Sequence, residues 1–232
     1  MTIQQKAKQQ KIKGVMDIVF CIDATGSMQP CIDAIKSNLA TFVSNLTVET
    51  GRKQIVPDWR ARIIYFRDLN ADKDALKADY PFVSSEGELR KQIDDIAAEG
   101  GGDAPESILD ALYVALSKSE WRDNALHAVI AFTDAPPIET LHATMVEPGQ
   151  DKSIATVINA YVSDKFSVLR VFCPEHPVYE ELKDIPRSTF EYVDKSAGDV
   201  YEGLKNLKFD EIFQVLAKTL SLSASEVKQF VS

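Results

Sequence analysis

Cysteine, histidine and tryptophan are scarce in this sequence, with three, three and two copies among 232 residues. Cys21, Cys31 and Cys173 form an odd, widely scattered set, which does not read as a disulfide framework and fits a reducing compartment. His127, His142 and His176 stand apart without ligand spacing, so zinc ligation is not indicated and they read as surface or strand residues. No stretch approaches the ~20 apolar residues of a membrane span. The amino-terminal MTIQQKAKQQKIKG is positively charged but has no apolar run behind it of the kind a secretory signal needs. Basic residues are outnumbered, 26 against 35 acidic, for a net charge of -9. Such a surface does not attract nucleic acid or an anionic membrane, whereas cations remain suitable ligands. The expectation is a cytoplasmic protein with a mobile leader over residues 1–13 and a single domain over 14–232.

What is present is a hydrophobic fraction of 45%, enough for one well-filled core. Short β-rich apolar runs recur at Val15 to Ile22, Arg62 to Phe66, Leu126 to Thr133, Val168 to Cys173 and Thr189 to Val193, each able to form a buried strand. Helical periodicity occupies gaps between them. Ile32, Ile35, Leu39, Phe42, Val43 and Leu46 share one face after Pro30. Ile108, Leu109, Leu112, Tyr113, Ala115 and Leu116 form a second stripe, and Phe209, Ile212, Phe213, Val215, Leu216 and Leu220 a third. Tyr80 to Val83 is expected to add a short edge strand before a Glu86 to Ala98 helix. Ser223-Ala-Ser-Glu226 has the capping-box pattern of a last helical turn or two. Alternation of strands and helices predicts a doubly wound α/β fold, with a mostly parallel sheet of about six strands covered on both faces.

In such sheets the functional site lies beyond the carboxyl ends of the strands where the winding reverses. The loops after the first strand and after the Leu126 strand both begin with an aspartate. The first reads Asp23-Ala-Thr-Gly-Ser-Met28, so that Asp23, Thr25 and Ser27 can turn alternate side chains to one place, with Gly26 permitting the turn. Carboxylate and hydroxyl oxygens with room for water suit a small hard cation. An Asp at a strand end is commonly a turn former, and Asp134 alone would be weak evidence; the pair, with the Asp-x-Thr-x-Ser spacing, points to a metal site. Arg67-Asp68 reads as a solvated loop ion pair in preference to a support behind the site's ligands, Trp59 and Trp121 as packing residues flanking strands, and Pro136-Pro137 as a strand stop.

From about Val15 to Leu220 the sequence resembles the von Willebrand factor A family, through DATGS at residues 23–27, Gly100-Gly-Gly-Asp-Ala-Pro-Glu106, Trp121-Arg122 and Phe132-Thr-Asp-Ala-Pro-Pro137. These segments are more similar to the intracellular, hemicentin-like and alpha-kinase-associated branch than to the integrin inserted domain. The resemblance implies a metal-ion-dependent adhesion site with Asp23, Thr25, Ser27 and Asp134 around Mg²⁺, Mn²⁺ and Ca²⁺ being the other candidate ions. Thr25 takes the middle position as the permitted alternative to serine. Where adhesion-type domains usually carry a threonine in the middle loop, this chain has Asp103. In one reading Asp103 approaches the cation and supplies a third carboxylate, which would repel an acidic partner. In the other it caps the following helix, with Glu106 as its box partner and Pro105 in the first turn.

The resemblance further implies a non-catalytic adaptor subunit of an intracellular complex, with another protein bound through the metal site. The alternatives are a metal-free scaffold of the same fold and a Mg²⁺-dependent phosphatase or phosphotransferase of the haloacid-dehalogenase type. The last expects an Asp-x-Asp, and position 25 is Thr. A G-x-G-x-x-G series for dinucleotide binding is absent after Ile22.

Overall fold

The computed structural model describes residues 14–46, 48–50, 53–55, 58–101, 104–192 and 208–231. The leader over residues 1–13 and Asp103 lie outside the described residues. The first strand, β1 (Val15–Asp23), is followed by a 3-10 turn at Gly26–Met28 and by α1 (Gln29–Asn45), with Pro30 in its first turn where a missing N–H costs nothing. A small antiparallel hairpin, β2 (Val48–Thr50) and β3 (Lys53–Ile55), precedes β4 (Asp58–Phe66) and β5 (Leu76–Lys77). Then come α2 (Glu86–Asp94), α3 (Ile108–Lys118), β6 (Leu126–Phe132), α4 (Ile154–Ser163) and β7 (Ser167–Cys173). The chain continues through α5 (Pro177–Lys183) and β8 (Ser188–Tyr192) to α6 (Phe209–Val231).

The main sheet has six strands in the order β5-β4-β1-β6-β7-β8, and every pairing is parallel except β4 with β5. The expected doubly wound α/β architecture is therefore the observed one. β1 lies centrally, with β4 on one side and β6 on the other, so the winding reverses at its carboxyl end.

The two-residue period of β1 divides the core. Met16, Ile18, Phe20 and Ile22 belong to one cluster with α1 and α6, whereas Val19 and Cys21 join α3, α4 and α5 on the other face. Phe20, Phe42 and Phe213 meet edge to face, with Phe20 and Phe42 5.5 Å apart and Phe42 and Phe213 5.4 Å apart. All three cysteines are buried thiols.

At the amino ends of the strands a buried ion cluster ties the sheet together. Asp17 is fully buried and accepts from Arg60 Nε and Nη2 at 2.9 and 2.8 Å, and from Arg122 Nε and the Arg122 backbone N–H at 2.7 and 2.8 Å. Trp121 stacks on His127 at 4.8 Å. Trp59 lies within β4 and packs partly buried on the core.

Four local expectations are corrected. Tyr80 to Val83 does not form a strand: Val83 makes an isolated antiparallel bridge to Ala61, and the edge strand is Leu76–Lys77, paired with Tyr65 and Phe66. The α2 helix stops at Asp94 instead of Ala98, because the chain crosses to the first loop, where Glu99 N–H donates to Ala24 C=O at 3.1 Å. The pattern at Ser223 to Glu226 starts nothing new; α6 runs unbroken through it, since no glycine or proline stops the helix beforehand. Arg67 is buried, and its ion pair is with Glu99 at 3.3 Å instead of Asp68; it also donates to the Lys73 and Asp74 carbonyls.

Candidate functional site

β1 delivers Asp23 to the carboxyl edge of the sheet, and β6 delivers Thr133 and Asp134 beside it. Asp23 is fully buried. Its Oδ1 accepts from the Thr25 backbone N–H at 2.9 Å and from Thr25 Oγ1 at 2.8 Å, and its Oδ2 accepts from Thr133 Oγ1 at 2.7 Å. Thr25 Oγ1 lies 3.1 Å from Ser27 Oγ. The expected convergence of Asp23, Thr25 and Ser27 is thus present as a connected chain of oxygens. Gly26 opens a 3-10 turn without a left-handed φ, so the turn does not demand glycine there.

The glycines that matter to handedness are Gly100 and Gly101 in the middle loop, at φ +73 and +69. Backbone bonds dock this loop on the first: Glu99 N–H reaches Ala24 C=O, and Gly26 N–H reaches Gly100 C=O at 3.4 Å. Gly101 N–H donates to Asp72 Oδ2 at 3.3 Å.

Burial pushes the Asp23 carboxyl up to about 6; hydrogen bonds from Thr133 and Thr25 oppose the rise, and the charge of Asp134 adds to it. Asp134 is itself buried. Burial also raises the Cys31 thiol, and the charges of Asp23 and Asp134 add to the rise.

Glu106 was expected, if Asp103 capped the helix, to complete a capping box. The helix begins at Ile108 with Ser107 at its N-cap, so Glu106 precedes the helix and is not its N3 residue. Glu106 instead pairs with the β6 loop: its N–H donates to Pro136 C=O at 2.9 Å, and its C=O accepts from Ile138 N–H at 2.8 Å. Pro105, expected in the first helical turn, lies outside the helix too. Ser107 Oγ accepts from Leu69 N–H at 3.0 Å, which ties α3 to the loop after β4. Burial lifts the Glu106 carboxyl to about 8, helped by Asp23, Asp68, Asp72 and Asp134.

The histidines take no part in the site. His127 is a buried strand residue, His142 N–H donates to buried Asp110, and His176 caps α5. Thr133 is the partner of Asp23 that sequence reasoning missed; its signal was its place immediately before Asp134 at a strand end.

As a donor set, Asp23, Thr25, Ser27 and Asp134 offer oxygen only, which fits Mg²⁺ or a similar hard ion and not a thiophilic one. Among the described residues no group of three or more His, Cys, Asp or Glu side chains is placed to hold a metal by itself. Hydroxyls therefore belong in any ligand shell built here.

A doubly wound α/β fold with an oxygen-rich loop site at the switch point defines the class of domain. The sequence pattern of the von Willebrand factor A domain matches residues 17–187, and the chain belongs to that family. It is similar to the alpha-protein kinase vwkA of Dictyostelium discoideum, 29% identical over 138 residues that make up 59% of this chain and 21% of that protein. The chain thus spans about a fifth of this relative's length.

Two solved structures have the same fold. A von Willebrand factor type A protein from Catenulispora acidiphila is 16% identical with a TM-score of 0.51, covering 88% of this chain and 42% of the other. Proximal thread matrix protein 1 from the mussel byssus is 17% identical with a TM-score of 0.54, covering 90% of this chain and 47% of the other. Domains of this family are generally protein-interaction modules, and that general role extends to this chain.

Proposed function

We propose that this chain recognises a protein partner through a divalent cation, Mg²⁺ in the first instance, held by Asp23, Thr25, Ser27 and Asp134. The observation that carries the reading is the linked set of Asp23, Thr25 and Ser27 oxygens beside Asp134 at the switch point of the sheet. A bound cation supplies a Lewis-acidic point that accepts an oxygen from the partner. Asp23, oriented by Thr25 and Thr133, provides the buried charge, while the hydroxyls keep the donor set compact. Asp103 belongs to the proposal as an additional ligand.

The chain acts here as an adaptor without catalysis of its own, in the cytoplasm and within a larger assembly. The absence of an Asp-x-Asp at positions 23–25 supports that reading over phosphoryl transfer. Among the described residues no helix is long and apolar enough to cross a membrane.

Calorimetric titration of chelator-treated protein with Mg²⁺ and Mn²⁺ tests the proposal, beside a folded Asp23→Ala, Ser27→Ala double variant. Saturable binding by the wild type and none by the variant is expected. Absence of binding by the wild type would replace the reading with a metal-free scaffold.

A further inference from the structure

Two buried carboxylates of this chain are treated in opposite ways. Asp17, at the amino ends of the strands, accepts hydrogen bonds from both Arg60 and Arg122. Glu106, beside the carboxyl ends, is 3% exposed, and its Oε2 is buried without a hydrogen-bond partner. Arg67, the buried cation of the neighbouring loop, is engaged with Glu99 and with the Lys73 and Asp74 carbonyls. A buried acidic oxygen without a donor is unfavourable in itself, and a positive group brought against it removes the cost.

The Gly100-Gly101 turn marks the approach. Gly100 is exposed and Gly101 half-buried. A Cβ built on Gly100 would stand 3.0 Å from Asp72 Cγ, and one on Gly101 3.2 Å from Glu106 Oε1, so carboxyl groups from two segments lie against one bare turn. Asp68, also half-buried, belongs to the same loop as Asp72. Among the described residues no three acidic side chains are placed to hold a metal, so these acids do not close on a single ion. Acceptors spread along a turn suit a guanidinium, whose five N–H donors lie in one plane and reach several oxygens at once.

We propose that the Gly100-Gly101 turn receives an arginine side chain of the protein partner, paired with the Asp72 and Glu106 carboxylates. This rests on reading the carboxyl edge as the recognition face, and no divalent ion stands between the arginine and these carboxylates. The guanidinium supplies the donor that Glu106 lacks, as Arg60 and Arg122 supply those of Asp17. An acidic residue brought to the same turn meets Asp68, Asp72 and Glu106 and is repelled.

Calorimetric titration of the full chain with a short Gly/Ser peptide carrying a central Arg-Arg pair tests the assignment, beside its Lys-Lys and Glu-Glu counterparts. The Arg peptide should bind, the Lys peptide several-fold more weakly and the Glu peptide not at all. Asp72→Asn and Glu106→Gln each keep the side-chain shape and should weaken Arg-peptide binding about five-fold. Asp123→Asn removes the same charge at the amino ends of the strands and should stay within about two-fold of the wild type. Thermal melts confirm that the variants are folded. Lys and Arg peptides bound equally, or Asp123→Asn as damaging as Asp72→Asn, would reduce the effect to net charge and overturn the proposal. Mn²⁺ titration of the same samples reads the cation site separately. Mn²⁺ binding without Arg-peptide binding overturns the arginine site alone, and the reverse result leaves the arginine site standing and removes the cation.

Discussion

Gly101 sits at φ +69, and an added Cβ would lie 2.5 Å from Thr25 Cγ2, so a side chain is excluded there by both backbone and space. Gly101→Ala should cost about 1–2 kcal/mol from the left-handed conformation alone. Because the methyl can be relieved only by moving Thr25, Mn²⁺ affinity should fall with it, and calorimetry on the same sample measures both. At this scale the convergence of Asp23, Thr25 and Ser27 was legible because they end or follow a strand whose apolar run is plain in the sequence. Glu106 was hidden by its neighbours: Asp-Ala-Pro-Glu imitates a helix start, and only the bonds from Glu106 to the Pro136 and Ile138 backbone reveal that the chain is still extended there. Thr133 was hidden differently: its place before Asp134 marks a strand end, but its bond to a carboxylate 110 residues away is a tertiary contact.

The central strands and α1, α3 and α6 were legible from periodicity because each commits a whole face to the core. Phe213 of α6 is fully buried against Phe20, Phe42 and Phe132. Phe213→Ala should lower stability by about 3–5 kcal/mol, seen as a reduced denaturant midpoint. Short elements were less legible. β5 has two residues, and its position is set by the Arg67 N–H bond to Ala75 C=O at 2.8 Å, a tertiary contact without a sequence period. β6 is joined to the turn after α4 by His127, whose Nε2 faces Arg122 C=O at 2.8 Å while Nδ1 meets Asp164 Oδ2. Both partners accept hydrogen bonds, so both ring nitrogens carry protons. Burial opposes that charge, but the Asp164 hydrogen bond and the Arg122 carbonyl hold the imidazole above its ordinary value of 6.5. Its stabilisation is present in full below 6.5 and is lost as pH rises through the elevated folded value. The difference in Tm between the wild type and His127→Gln should therefore be largest near about pH 6 and shrink on raising the pH, which a melting series resolves.

For the molecule as a whole, the net charge of -9 and a buried acidic site act in the same direction, favouring cations and disfavouring polyanions. A ligand bound only by the folded state stabilises it by mass action, so Mg²⁺ at about 100 times its Kd should add about 2.7 kcal/mol. A concentration-dependent rise in Tm that is absent from the Asp23→Ala, Ser27→Ala variant checks this. The two ends of the sheet are built differently. Asp17 grips Arg60 of β4 and Arg122 ahead of β6 with buried charge at the amino ends, whereas the carboxyl ends finish in loops joined by pairs of backbone bonds, Glu99 to Ala24 with Gly26 to Gly100, and Glu106 to Pro136 and Ile138. Such a sheet is a cantilever: its root is clamped, and its tip carries the site. A partner recognised at the tip as proposed would load the loops first, and the Asp17 cluster at the root would preserve the registry of the strands.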